Sequence, residues 1–442
     1  MSLSTILLRI RSSFWYLPSL YGVLSFGLAI FSLQLDAFLA NNPSLYRYIP
    51  SMLLSDIDLA QEVLSSISAS LLTMTTITFS SILIVLTTYL SQFSPRTIQN
   101  FITDHNTQRV LGVFVAGFVY SILLLLLLRE SEATTLFIVP TLAVIFAIIC
   151  LAVFVFFIHH VSSWIQVSNL IHHITLNTIE AIEKQFQDRK DVHDDSPWED
   201  WESAEIKHRQ PIEITAARPG YVLLIDINGI IDQASKDDCI IRIEKKHGEY
   251  VDHDTPLLSL WKINGQKDYG DYLKYISLGS KRAPVENIEF GLTKLVEIAL
   301  RALSPGINDP NTAINCIEQL GKILARIGKK HLPRSYHSDK HRNLRVMLEQ
   351  PAFSDYLYKS FYQIRHYGAE DVSVLSAIIQ ALLLIAVSNH ESIKNKIWEF
   401  TLYIIEGINQ QPVLQLDKRY LNEQLQALAR ATAHREEFKP LL

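Results

Sequence analysis

The residues of this chain best suited to chemistry are hydroxyls crowded onto one apolar segment. Serine and threonine fill much of residues 65–88, whereas the apolar stretches at 110–128 and 135–158 are almost wholly Leu, Ile, Val, Phe and Ala. Ser66, Ser70, Thr73, Ser80 and Thr87 recur at steps of three, four and seven, so a helix places them on one face. Hydroxyl oxygens in such a stripe can replace part of an ion's hydration shell and line a path through a membrane. The same hydroxyls can instead bond neighbouring helices or their own preceding carbonyls. The sequence leaves both uses open. Residues 65–88 contain no acidic or basic side chain, and coupled carriers place one inside the bilayer, so any path here is expected to be passive.

A second candidate follows at once. Ser94 precedes Pro95, a pairing suited to starting a helix with proline at its first position, and Arg96 then stands at that helix's positive end. This is the expected cytoplasmic mouth, where Arg96 binds a lipid phosphate or another anion, or only fixes topology. A third lies far along the chain, where Ser304-Pro305-Gly306 stops one helix and Asn308-Asp309-Pro310 restarts another with a side-chain cap and proline in the first turn. Its local rigidity is expected to be architectural, with Asp309 as the cap.

Other chemistry is expected to be absent. His159, His160, His172 and His173 share one helical stretch, but fourteen residues at 1.5 Å each separate His159 from His173 by about 21 Å, too far to share a metal. The acidic stretch 190–210 lacks the spacing and glycine of a calcium loop and reads as an exposed linker. Cys150, Cys239 and Cys316 are odd in number and far apart, which suits neither a disulfide framework nor a zinc site. No phosphate-cradling loop, zinc-protease pair or nucleophile elbow occurs. Neither enzymatic activity, a cofactor nor a metal is expected, and a net charge of −5 gives no sign of a nucleic-acid surface.

The elements that hold these residues divide the chain sharply. Hydrophobic residues make up 48% of it, concentrated before residue 160 in four stretches of bilayer-spanning length, about 14–35, 63–90, 110–128 and 135–158. They define a transmembrane domain over 1–162. Arg9, Arg11, Arg96, Arg109, Lys184, Arg189 and Lys190 flank it on one side, against Arg47 and Arg129 on the other. The positive-inside rule therefore places both termini in the cytoplasm. Beyond it the apolar pattern continues as a helical stalk over 163–189, then the acidic linker 190–211. Strand-like runs fill 212–262, and amphipathic helices over 280–442 form an all-helical region, interrupted by a basic loop at 329–342 expected to be solvated.

Two resemblances appear in these residues. Phe-Ser-Pro-Arg at 93–96, Leu-Gly-Val-Phe at 111–114 with Tyr120, and Ala-Leu-Ser-Pro-Gly-Ile-Asn-Asp-Pro-Asn-Thr-Ala at 302–313 resemble the bacterial membrane-protein family called domain of unknown function 2254. The likeness covers almost the whole chain; it implies a membrane domain with a cytoplasmic region and carries over no site. Pro-Gly-Tyr-Val at 219–222 and the turn at 247–257 are similar to barrel-sandwich repeats of biotinyl and lipoyl domains, without a lysine in a modification hairpin. The expected fold is thus membrane α-helical with four transmembrane helices, plus a cytoplasmic α+β region of a small barrel-sandwich-like β unit and an α-helical bundle. The expected function is an oligomeric channel, its hydroxyl-rich second span lining a passive ion or small-solute path. A membrane-anchored sensor or scaffold, binding a cytoplasmic partner without permeation, is the alternative.

Overall fold

A computed structural model describes residues 15–42, 48–92, 105–128, 136–188, 210–262, 272–279, 288–332 and 335–441 of the chain. Its apolar N-terminal part is four long helices: α1 (Tyr16–Ala40), α2 (Ile57–Gln92), α3 (His105–Leu127) and α4 (Val139–Ile165). Each is long and apolar enough to cross a membrane. Except at its ends, a helix satisfies its backbone N–H and C=O groups within itself, which hydrocarbon demands. α3 is the hub. Half of its apolar stretch is buried, against 22%, 22% and 17% in α1, α2 and α4. Gly112 and Gly117 allow the approach: a Cβ on Gly112 would meet the Tyr21 ring of α1 at 2.8 Å, and one on Gly117 would meet Cys150 Sγ of α4 and Leu71 Cδ1 of α2 at 3.0 Å each.

Two compact units divide the chain, residues 1–170 and 171–442. The expected uninterrupted stalk is in fact two helices, because Gln166 adopts extended backbone (ψ 117°) and ends α4. Asn169 Nδ2 donates to the Ser163 carbonyl across the break, and α5 (Val167–Gln185) begins anew.

The second unit is mixed. Its strands are β1 (Gln187–Asp188), β2 (Ile212–Thr215), β3 (Gly220–Ile225), β4 (Cys239–Ile243), β5 (Tyr250–Val251), β6 (Pro256–Lys262), β7 (Ile276–Gly279), β8 (Lys330–His331), β9 (Tyr336–Ser338) and β10 (Leu344–Leu348). Five of them form a sheet in the order β2-β6-β4-β10-β9, and three form a second, β5-β3-β7. The strands over 212–262 therefore do not close on themselves. β10 enters the middle of the larger sheet parallel to β4, with Val346 opposite Ile241 and Leu348 opposite Ile243. An all-helical region after 280 is accordingly corrected: all five residues of β10 are buried, and their short apolar run reads equally as strand or helix in sequence. Asn228-Gly229 lies in the first turn of helix α6 (Ile227–Lys236), capped by Asp226, whose carboxylate accepts from Gly229 N at 3.0 Å. Gly229 is there for space. A Cβ would lie 2.6 Å from the Tyr275 ring.

Helices α7 (Ile288–Ala302), α8 (Pro310–Ile327), α9 (Phe353–Tyr367), α10 (Val372–Ser388), α11 (Glu391–Asn409) and α12 (Gln415–Ala431) complete the unit. α8 and α10 approach closely where Gly321 faces Ala381, 3.0 Å from a built Cβ. α5 packs on α7 with still less room, since a Cβ on Gly291 would overlap Thr178.

Candidate functional site

The five hydroxyl residues of the second span lie on one exposed face of α2, and the opposite face, with Ala60, Leu64, Leu71, Ile82 and Val85, is buried in the bundle. Ser66, Ser70, Thr73, Ser80 and Thr87 thus point away from the core of the bundle. Three of their hydroxyls bond their own helix: Ser70 Oγ donates to Ser66 O (2.8 Å), Thr73 Oγ1 to Ala69 O (3.0 Å) and Thr87 Oγ1 to Leu83 O (2.8 Å). Each such bond uses the hydroxyl hydrogen and leaves oxygen lone pairs for another group. Ile77 and Ile84, 44% and 61% exposed, interrupt the stripe at helical spacing. Ser94, Pro95 and Arg96, the expected mouth, lie outside the described residues.

A second polar set, unexpected from sequence, sits inside the bundle. Ser25, Ser32 and Asp36 share one buried face of α1. Ser32 Oγ and Tyr120 Oη of α3 are 3.0 Å apart, both residues 2% exposed. Asp36 accepts from Ile138 N (2.9 Å) and Val139 N (3.2 Å), so a carboxylate from the end of the first span caps the start of the fourth. In sequence Asp36 reads as the end of the span; the spacing 25, 32, 36 was the available signal.

The loop between α7 and α8 holds itself together. Asn308 N donates to Ser304 O (2.9 Å), Asp309 N to Ala302 O (2.8 Å), and Ser304 Oγ to Arg301 O (2.7 Å). Asn308 takes a positive φ of 48°. Asp309 caps α8, accepting from Thr312 N at 3.2 Å and Thr312 Oγ1 at 2.6 Å, and Pro310 opens the helix. Pro305 is exposed. The hydrogen bonds satisfy the loop internally, and no ligand chemistry is needed to account for it.

Charges in the second unit link distant segments. Arg345 of β10 donates to Asp339 (2.8 Å) and Asp238 (2.9 Å), with its side chain 6% exposed and that of Asp339 4%. Burial opposes the charge on Asp339, yet hydrogen bonds from Arg345 and from Asn343 N and His341 N prevail and hold it well below the usual carboxylate range. Tyr272 Oη donates to Asp237 at 2.5 Å and lies 3.3 Å from Cys239 Sγ; burial, then the Asp237 bond, pushes the phenol up. Glu183 of α5 accepts from Arg326 and from Lys330 Nζ (2.5 Å), and those two bonds lower its carboxyl. Lys330, in the stretch expected to be a solvated loop, is 5% exposed because β8 pairs with β1. Among the described residues no three of His, Cys, Asp and Glu converge as metal ligands. His159, His172 and His173 are exposed, and His160 stacks on Phe156 at 5.8 Å. Cys150, Cys239 and Cys316 are buried and form no disulfide.

Comparison with known proteins gives a family and no activity. A family model described as "Predicted membrane protein (DUF2254)" matches residues 11–383. Uncharacterized proteins of Mycobacterium bovis and Mycobacterium tuberculosis are each 29% identical over 337 residues, 74% of this chain. The match spans 64% of the length of those relatives. No solved structure matches.

Proposed function

The chain belongs to the DUF2254 family of predicted membrane proteins, and we propose from its geometry that it is a non-enzymatic, oligomeric channel of the bacterial inner membrane. The hydroxyl face of α2 lines a passive ion or small-solute path between protomers. The observation that carries this reading is the outward placement of Ser66, Ser70, Thr73, Ser80 and Thr87, on the face a neighbouring copy would meet. Four spans in one chain are too few to enclose a path, so several α2 helices must converge. Because Ser70, Thr73 and Thr87 donate to carbonyls of their own helix, the surface offered to a permeant is rich in lone pairs, which favours cations. Ile77 and Ile84 would then form apolar constrictions that close by dewetting. We place both termini and the second unit in the cytoplasm, where that unit forms a vestibule or gate.

The test is conductance of the purified full-length protein in planar bilayers, beside Ser70→Leu and Thr73→Leu variants. Conductance that the two leucines abolish supports the path. A silent wild-type protein under all ionic conditions sinks it.

One observation favours a different role, that of a membrane-anchored sensor or scaffold whose second unit binds a cytoplasmic partner. Hydroxyls bonded to the carbonyl four residues back need no wet surroundings and can lie against lipid or another helix. Under that reading the leucine variants change nothing in the membrane, and partner binding by the second unit is the activity to measure.

A further inference from the structure

Seven hydroxyls of α2, at Ser70, Thr73, Thr75, Thr76, Thr78, Thr87 and Thr88, bond the carbonyl four residues back. Ser68 on the same helix does not. Its side chain is buried inside the bundle, and its Oγ has no hydrogen-bond partner among the described residues. Ser121 of α3, 1% exposed, is in the same condition. A buried hydroxyl without a partner costs free energy, and in folded proteins such groups are met by internal water where the surroundings are polar enough.

Helical steps from one contact put both serines near one level of the bundle. Leu71 of α2 lies against Gly117 of α3. The two helices run antiparallel, as the clustering of Ala60 and Leu64 with Leu124 and Leu128 requires. One turn from the Leu71–Gly117 contact, back along α2 and forward along α3, stand Ser68 and Ser121. Tyr120, beside Ser121 in sequence, shares its hydroxyl with Ser32, and Asp36 lies one turn beyond Ser32 on the same buried face of α1. From there the Asp36 carboxylate reaches the first amides of α4 at the edge of the bundle.

We propose that Ser68, Ser121, Tyr120, Ser32 and Asp36 form a water-binding site inside each protomer, entered from the Asp36 end. Its ligand is water, held by hydroxyl oxygens and the carboxylate. The site needs no second copy of the chain, so it stands apart from the path between protomers on the outer face of α2. Further along the bundle, away from Asp36, Leu71, Leu111 and Phe114 are apolar and each no more than 1% exposed. The site is therefore a blind polar inlet rather than a through passage.

The test is cysteine accessibility in the full-length protein reconstituted in liposomes, using the small, water-soluble 2-aminoethyl methanethiosulfonate and reading the mass shift. Thiols react as thiolates and hence only where water reaches them. Ser68→Cys and Ser121→Cys are expected to be modified at least about tenfold faster than native Cys150, which is buried in the same bundle, and than Leu72→Cys on the outer surface. Rates equal to that of Cys150 would overturn the inlet. Ser70→Cys in the same series reports the outer face: reaction there alone keeps the path between protomers and removes the inlet, and reaction at Ser68 and Ser121 alone does the reverse. Should a cysteine variant fail to fold, Ser121→Ala and Ser68→Ala decide the question by melting temperature. A hydroxyl holding water loses stability on deletion; an unchanged or raised melting temperature counts against the site.

Discussion

The two units of this protein satisfy their polar groups over opposite distances. In the membrane unit many hydroxyls bond a carbonyl four residues away on the same helix, as Thr75 does with Leu71 O and Thr78 with Met74 O. In the second unit the strong contacts bridge long stretches of sequence, Glu183 to Arg326 and Lys330, Asp238 to Arg345, Trp398 Nε1 to Glu437. Fold explains the difference. Hydrocarbon supplies no compensating partner, so a membrane helix keeps its polar groups within its own turn, whereas the mixed second unit brings distant segments together and can offset the desolvation of a charge by pairing it with a distant one. Long-range polar contacts in the membrane unit are therefore the exceptions, and Asp36 is the clearest of them.

Substitutions can break or sharpen this contrast. The largest effect is expected at Arg345→Met, which leaves Asp339 buried and unpaired; unfolding of the second unit, followed by denaturant titration, should lose about 3–5 kcal/mol. Asp36→Ala strips the acceptor from two amides at the start of α4 and should cost about 2 kcal/mol in the membrane unit, read from unfolding in detergent. A loss as small as that of a surface residue would remove Asp36 from the exceptions. Asp309→Ala removes only a local cap, worth about 1 kcal/mol in the same titration of the second unit. Ser70→Ala breaks one bond within a helix turn on an exposed face and should shift stability by no more than about 0.5 kcal/mol.

Acid offers an independent check. The folded-state carboxyl of Asp339 lies below its unfolded value, near 4 for an ordinary aspartate, so its contribution is fully present above that value and is lost as pH falls toward the folded one. Glu183 acts in the same direction. Thermal unfolding of the second unit between pH 7 and 3 should show a falling midpoint below about pH 5, with a shallower fall in Asp339→Asn.

Much of this arrangement is legible in the sequence where a local rule decides it. The four spans follow from apolar length, and the cap at Asp309 follows from Asp-Pro after a helix stop, since both depend on neighbours within a turn. The hydroxyl face of α2 follows from periodicity, although only the structure places that face outside the bundle. What escaped was set by distant residues. Arg345 within Leu-Arg-Val-Met-Leu argues against a buried strand until Asp339 and Asp238 are known to neutralise it. Asp36 reads as the polar end of a span because the amides it caps lie about a hundred residues later. Asn228-Gly229 reads as a turn because nothing nearby announces that Tyr275 leaves no room for a side chain.

The place of β10 governs the order in which this protein can be made. The central pairing of the larger sheet joins Ile241 and Val346, parallel strands separated by two helices and about a hundred residues. While a ribosome is still extending the chain through α7 and α8, β4 has its partner β6 on one side and an open edge on the other. The four spans have by then left the ribosome, so the membrane part is committed before the sheet can close. A chain released after β6 but before β10 would sit in the bilayer with a bare strand edge exposed, a template for aggregation and a signal for quality control.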